Sequence, residues 1–200
     1  MFLKSQPALI LASTSTYRRQ LLERLGLVFT CEAPGVDETP HPGEPADVLV
    51  ARLARAKARG VGERRDGWII GSDQVAVLDG SASAAIMGKP ASAAACVEQL
   101  LRCSGRTVSY LTAVAVLRRT DASPREFVDT TRVRFRRLDP ATVGRYVEKE
   151  RPLDCAGGFK SEGLGIALCE SIDSCDPSAL IGLPLIRLSQ TLREVGFEIP

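Results

Sequence analysis

The sequence predicts an α/β (α+β) fold, a mixed twisted sheet flanked by helices, and three observations carry that expectation. Strand-like and helix-like segments alternate along the first hundred residues. The run Trp68–Leu78 is apolar enough to be covered on both faces. Thr107–Leu117 and residues 127–135 then read as two long neighbouring strands, joined as a hairpin around residues 121–125.

Taken in order, Leu9-Ile10-Leu11-Ala12 is a short apolar strand ending at small hydroxyl residues. Residues 17–25 place Leu21, Leu22 and Leu25 at helical spacing before Gly26. Residues 28–33 form a second strand, and the Pro/Gly/Asp-rich stretch 34–45 is loop. A helix over about 46–59 follows, with Val50, Leu53, Ala54 and Lys57 on successive turns and Gly60 as its stop. The strand 68–78 is broken at its middle by Gly71-Ser72-Asp73-Gln74. Residues 93–103 form a helix, and Asp139-Pro140 starts another that runs to about Lys149. Residues 151–165 are glycine-rich and polar, and Leu180 to Ile186 leads into a last helix ending near Gly196. No repeat or low-complexity linker divides the chain, so residues 1–200 are expected to form one domain.

Composition narrows the function. A chain of 200 residues, 44% hydrophobic, can bury roughly 70% of its unfolded surface around one core. With a net charge of +2, no global field draws it to nucleic acid or an anionic membrane, so any anion site is local. The basic residues are 21 Arg and only five Lys, and Lys supplies a compact ammonium that Arg does not mimic. Six cysteines contain no C-x-x-C pair, and the single histidine, His41, cannot complete a usual zinc set; reduced thiols are expected. The N-terminus lacks a secretory pattern and no run approaches the roughly 20 apolar residues of a membrane span, so the expected location is cytoplasmic.

Five segments could carry chemistry. Ser13-Thr14-Ser15-Thr16-Tyr17-Arg18-Arg19 lies where a strand turns into a helix, whose free N–H groups suit an anion and whose arginines could add bidentate contacts; the plainer reading is an ordinary Ser/Thr cap. Asp37-Glu38 in a Pro-rich loop offers adjacent carboxylates to a hard cation, or is simply an acidic turn. Asp73 inside an apolar strand costs on the order of several kcal/mol unless paired or metal-bound, which favours a functional role. Gly71 beside it would let substrate or a neighbouring backbone come close. Met87-Gly88-Lys89-Pro90 is a tight loop exposing one ammonium, without the P-loop pattern. The loop from Leu153 to Gly165 combines dense glycine with Phe159, Lys160 and Glu162, as close approach to a ligand requires, although a flexible surface loop reads the same way.

In order along the chain these segments resemble the Maf family of nucleoside triphosphate pyrophosphatases. The shared motifs are L-A-S-x-S-x-x-R-R at Leu11 to Arg19, D-E-T at Asp37 to Thr39, G-S-D at Gly71 to Asp73 and G-K-P at Gly88 to Pro90. Further on come C-A-G-G-F-K-S-E-G-L-G at Cys155 to Gly165 and L-I-G-L-P-L at Leu180 to Leu185. The resemblance implies a divalent-metal-dependent cut between the α- and β-phosphates, releasing pyrophosphate, in a nucleotide cleft between two lobes. It makes Asp73 the catalytic proton acceptor and Ser13, Arg18, Lys57 and Lys89 the phosphate contacts, Lys57 lying outside the quoted motifs. Glu38 and Asp73 would hold Mg²⁺ or Mn²⁺. Tyr17, Gln74 and Glu162 fall on the positions that select the base, and K-S-E with G-S-D-Q is similar to the 7-methyl-GTP branch. Thr16 and Tyr17 depart from the Pro and Trp common there.

The residues support that branch chemically. A carboxylate such as Glu162 can accept from both the N1–H and the amino group of guanine, whereas uracil and thymine present carbonyls. A 7-methyl group makes the purine cationic, which favours stacking on Tyr17. The expected partner is a small-molecule nucleotide, with no nucleic acid, no membrane and a homodimer left open. Two alternatives stand: a pyrophosphatase for dTTP/UTP or an inosine-type base, and a nucleotide-binding regulator of septum formation and cell division, to which relatives resembling this chain have been linked. Asp73 with its acidic neighbours argues against the regulator, because a sensor needs phosphate donors but no water-activating carboxylate.

Overall fold

The strand Trp68–Leu78 is the spine of the computed structural model, which describes residues 7–79, 85–121 and 123–200. The strands are β1 (Leu9–Leu11), β2 (Thr30–Cys31), β3 (Trp68–Leu78), β4 (Ala85–Met87), β5 (Thr107–Leu117), β6 (Arg125–Phe135) and β7 (Cys169–Asp173). They form a mixed sheet in the order β2-β1-β3-β5-β6-β7, with β4 also paired to β3. β1 runs parallel to β3, and β5 runs antiparallel along nearly its whole length.

That pairing leaves an opening. β5 occupies one edge of β3, so β1 and β4 share the other: β1 pairs with residues 68–70 and β4 with residues 76–78. Between them, residues 71–75 have no strand partner on that edge among the described residues. The polar interruption anticipated in the buried strand sits in this gap.

Among the described residues five α-helices cover the sheet: α1 (Thr16–Glu23), α2 (Ala46–Gly62), α3 (Ala93–Arg102), α4 (Pro140–Glu150) and α5 (Leu185–Glu194). Ser15, Ser92 and Asp139 cap α1, α3 and α4 by accepting the amide N–H of Arg18, Ala95 and Thr142, and Pro140 takes the first-turn position that needs no N–H. α2 packs Leu49, Val50, Leu53 and Ala58 on Ile69, Val75 and Ala113. On the other face, Leu21 and Leu22 of α1 and Leu188 and Leu192 of α5 meet Ile70 and Val114, while α3 and α4 close over Tyr110, Val133 and Phe135. Cover on both faces is why β3 reads as an apolar run instead of an alternating one.

Several expected boundaries move. Gly60 does not stop α2, which continues to Gly62. A Cβ at Gly60 would lie 2.9 Å from both the Pro34 carbonyl oxygen and Val36 Cγ1, so this glycine admits the loop before Glu38 instead of ending a helix. The second strand shrinks to Thr30–Cys31, whereas the last helix, Leu185–Glu194, starts within the expected lead-in. β4 and β7 were not anticipated, being short and, in β7, largely exposed. Of the expected turn at 121–125, Ala122 lies outside the described residues; Asp121 Oδ2 accepts the Arg118 amide at 2.9 Å. No helix among the described residues is long and apolar enough to cross a membrane.

Candidate active site

β1 carries the chain into the gap. The Ala12 amide donates to the Ile70 carbonyl at 2.8 Å, keeping the backbone beside β3, and the chain then turns at buried Ser13, whose Oγ accepts the Ser15 amide at 3.1 Å. Arg18 follows on the first turn of α1 and donates from Nε to the Gly182 carbonyl at 3.0 Å. Burial lowers the proton affinity of the Arg18 guanidinium, while the facing carboxylates of Asp73 and Glu38 oppose that shift.

β3 supplies the centre from alternate faces. Ser72 Oγ donates to the same Gly182 carbonyl at 3.0 Å. Gln74 Nε2 donates to Thr112 Oγ1 at 2.9 Å and to the Ala179 and Leu180 carbonyls at 3.0 Å each. The 3-10 turn Ala179–Ile181 and its neighbour Gly182 are thereby fastened to sheet and helix together, and the L-I-G-L-P-L motif acquires a role that its sequence does not declare.

Asp73 points the other way, toward α2. A Cβ on Gly71 would overlap the Ala54 carbonyl oxygen and lie 2.6 Å from the Ala58 amide nitrogen, so only glycine lets α2 approach this closely. The approach brings Lys57 Nζ to 2.7 Å from Asp73 Oδ1 and 2.8 Å from Glu38 Oε2. The side chains of Lys57 and Asp73 are 6% and 10% exposed, that of Glu38 54%. The adjacent acids of D-E-T separate: Asp37 Oδ1 accepts the Thr39 amide at 2.9 Å, and Glu38 alone reaches Lys57. Arg52 of α2 pins this loop by a two-pronged pair with Glu44, at 2.6 and 2.8 Å, and a bond to the Thr39 carbonyl at 3.1 Å.

Lys89, in the G-K-P loop, is exposed. The carbonyl of Gly88 before it accepts the Gly157 amide at 3.2 Å and Gln99 Nε2 at 3.1 Å, tying the G-K-P loop to the glycine-rich loop. That second loop is no loose flap, because Phe159 is buried against Tyr110 and Phe135, with ring centroids 5.9 and 5.1 Å away. The Lys160 amide donates to Tyr146 Oη at 3.0 Å, and Glu162 stays exposed. Lys160 Nζ sits 5.4 Å from the Tyr17 ring centroid. Burial, with Cys155 and Asp154 alongside, raises the Tyr17 hydroxyl above its ordinary range and keeps it protonated. Burial likewise pushes the Cys155 thiol up to about 12, which removes it as a nucleophile at neutral pH.

A cleft of about 420 Å³ joins these walls. Ser13, Tyr17, Arg18, Glu38, Lys57, Asp73, Gln74, Lys89 and Glu162 all line it. The expected site residues therefore converge on one space although they come from five separate segments and α2. Gly182, within the L-I-G-L-P-L motif, and Glu150, which carried no signal in the sequence, belong to the same construction.

Residues 8–195 match the family described as Maf-like protein. A protein named 7-methyl-GTP pyrophosphatase from Xanthomonas oryzae pv. oryzae is 52% identical over 197 residues, 97% of this chain and 100% of that one. One of the same name from Alkalilimnicola ehrlichii is 51% identical over 195 residues, 97% of this chain and 96% of the relative. Among solved structures, the nucleoside-triphosphatase / dITP/XTP pyrophosphatase from Mycobacterium abscessus superposes with a TM-score of 0.50 at 13% identity, covering 95% of this chain and 98% of that chain, a likeness of fold alone.

Proposed function

The chain belongs to the Maf family, and on that premise we propose that residues 1–200 act as one cytoplasmic nucleotide pyrophosphatase domain that hydrolyses 7-methyl-GTP to 7-methyl-GMP and pyrophosphate, removing modified nucleotides from the pool. The observation that carries the reading is the meeting of Asp73 and Glu38 on one ammonium, Lys57, in a cleft that also presents Tyr17 and Glu162.

Water adds to the α-phosphorus, the bond from that phosphorus to the α–β bridging oxygen breaks, and pyrophosphate departs with the electron pair. The proton of the water passes to Asp73. Lys57 holds Asp73 Oδ1, fixing the carboxylate so that Oδ2 takes the proton. Arg18, Lys89 and the Ser13 turn orient the triphosphate and offset its charge, which is most of what phosphoryl transfer asks of a protein.

The donor set also fits a divalent cation. Glu38 and Asp73 lie within reach of one ammonium, and Mg²⁺ or Mn²⁺ binds through one or two carboxylates while water and substrate phosphates complete its shell. Among the described residues no cluster of three or more His, Cys, Asp or Glu gathers. Such a cation, when bound, neutralises phosphate charge and acidifies water. At the base end, Glu162 accepts the guanine N–H groups and Tyr17 receives the cationic ring. Gln74, whose amide already serves the Ala179 and Leu180 carbonyls, shapes this end by holding the turn.

A panel of 7-methyl-GTP, GTP, UTP, dTTP, ITP and ATP, followed by pyrophosphate release with Mg²⁺ and with Mn²⁺, tests the proposal. The expected result is the highest kcat/KM for 7-methyl-GTP. UTP or dTTP ranking first overturns the base and leaves the reaction, whereas no pyrophosphate from any nucleotide overturns the reaction in favour of a binding role.

A further inference from the structure

α4 ends beside the base-selecting part of the cleft, and its last residue is a carboxylate that none of the chemistry above uses. Glu150 is only 13% exposed. Its Oε1 pairs with Lys160 Nζ at 2.9 Å, and its Oε2 accepts the Leu164 amide at 2.8 Å. One carboxylate thus grips the chain on both sides of Glu162. A Cβ on Gly163 would come within 2.6 Å of both Glu150 oxygens, so the glycine after Glu162 is the space that the grip occupies.

The grip also sets charge. Lys160 is held by Glu150 with its ammonium 5.4 Å from the Tyr17 ring centroid, and it does not line the cleft, whereas Tyr17 and Glu162 do. A cation near an aromatic ring draws on the same electron density that a second, cationic ring would use. Left uncompensated, Lys160 would oppose a methylated purine on Tyr17 and leave a neutral one nearly untouched. Glu150 cancels that charge.

We propose that Glu150 is a positioning residue for base selection, holding the Glu162 loop in place and neutralising Lys160 so that Tyr17 can accept a positively charged purine. The inference rests on the reading of the cleft as a methylated-purine site. The protonation states agree with it: the Leu164 amide and Lys160 hold the Glu150 carboxyl below its ordinary range, and the Glu150 partner raises Lys160. Both groups are charged at neutral pH.

The test is binding of 7-methyl-GMP and GMP, which differ by one methyl group and its charge, with UMP as control, by calorimetry at slightly acidic pH where the methylated ring keeps its N1 proton. E150Q retains an acceptor for the Leu164 amide but loses the charge. Its preference for 7-methyl-GMP over GMP should fall, within the roughly 2- to 30-fold span of a cation–ring contact. K160M should move the preference the opposite way, and E150Q/K160M should return to within about twofold of the parent, an outcome that a purely structural role does not produce. UMP binding should move by less than about twofold throughout.

E150Q and K160M shifting the ratio in the same direction, K160M leaving it unchanged, or the double variant staying where E150Q put it each overturns the proposal. K160M changes an outlying side chain and decides the sign even if E150Q folds poorly. A parent protein that does not favour 7-methyl-GMP overturns the methylated-purine reading instead, while the shifts among variants still report whether the charge balance exists.

Discussion

The two parts of the cleft are built in opposite ways. Asp73 and Lys57 stand on a central strand and the helix packed against it, both nearly buried, with backbone in contact at Gly71. Tyr17, Glu162 and Lys160 stand on a helix start and a glycine-rich loop, partly or fully exposed, and Glu150 grips that loop at Lys160 and Leu164. The Asp73–Lys57 pair is set in the core, where positions are fixed by packing, while Glu38 and Lys89 reach the same cleft from exposed loops. Glu162 lies on a loop, where substitution leaves the core undisturbed, whereas Gln74 shares β3 with Asp73 and Tyr17 stands in the first turn of α1.

The largest expected effect breaks the core side of this contrast. Asp73→Asn, nearly isosteric, should lower kcat by roughly 10²-fold or more on every nucleotide, because the proton acceptor and a metal charge vanish together. Circular dichroism should stay unchanged. Retained kcat would remove Asp73 from the chemistry.

Paired glycine substitutions sharpen the contrast. Gly71→Ala sets a methyl group against α2 backbone, and overpacking of this kind typically costs about 1–3 kcal/mol, or some 2–10 °C in Tm for a domain of this size. Gly163→Ala meets only the carboxylate tip of Glu150, so it should cost less in Tm yet change the ranking of bases. Equal losses in thermal melts, with an unaltered ranking for Gly163→Ala, would erase the distinction between the two parts.

Selectivity should respond at Glu162 without general loss. Glu162→Gln keeps one acceptor but drops the charge, reducing kcat/KM for guanine nucleotides by about 1–3 kcal/mol, roughly 5- to 150-fold, while UTP turnover stays near its starting value. A parallel fall for UTP would place Glu162 among the phosphate contacts. The smallest effect is expected from Tyr17→Ala, which should narrow the gap between 7-methyl-GTP and GTP by about 0.5–2 kcal/mol. A gap of unchanged width would show that the methylated ring rests elsewhere.

Much of this was legible beforehand where the signal is local. β3 and β5 appeared over their full spans because long β-rich runs bounded by turns are self-declaring. Asp139-Pro140 announced α4, and the run of hydroxyl residues from Ser13 announced α1, although only the structure picks Ser15 as its cap. Asp73 stood out because a carboxylate in an apolar strand needs a reason. Gly71 was expected to admit either substrate or backbone, and it admits the backbone of α2. Gly60 misled because a helical glycine and a stop glycine look alike in sequence, and only the neighbouring loop separates them. The loop of Phe159 read equally as a ligand-approaching or a flexible surface segment, because its anchors, Tyr110 and Phe135, are far away in the chain.

By itself the sequence determined the residue chemistry, the main strands and helices, and the order of motifs along the chain, since each depends on periodicity, capping or side-chain type within a few neighbouring residues. Only the tertiary structure decided that β1 and β4 share one edge of β3 and leave Asp73 in the gap between them. Only it joined Lys57 to Asp73 and Glu38, and Glu150 to Lys160 and Leu164. Those pairings depend on how strands are ordered and how closely a helix approaches a sheet, and such distances arise from packing summed over the whole chain, to which no local pattern gives access.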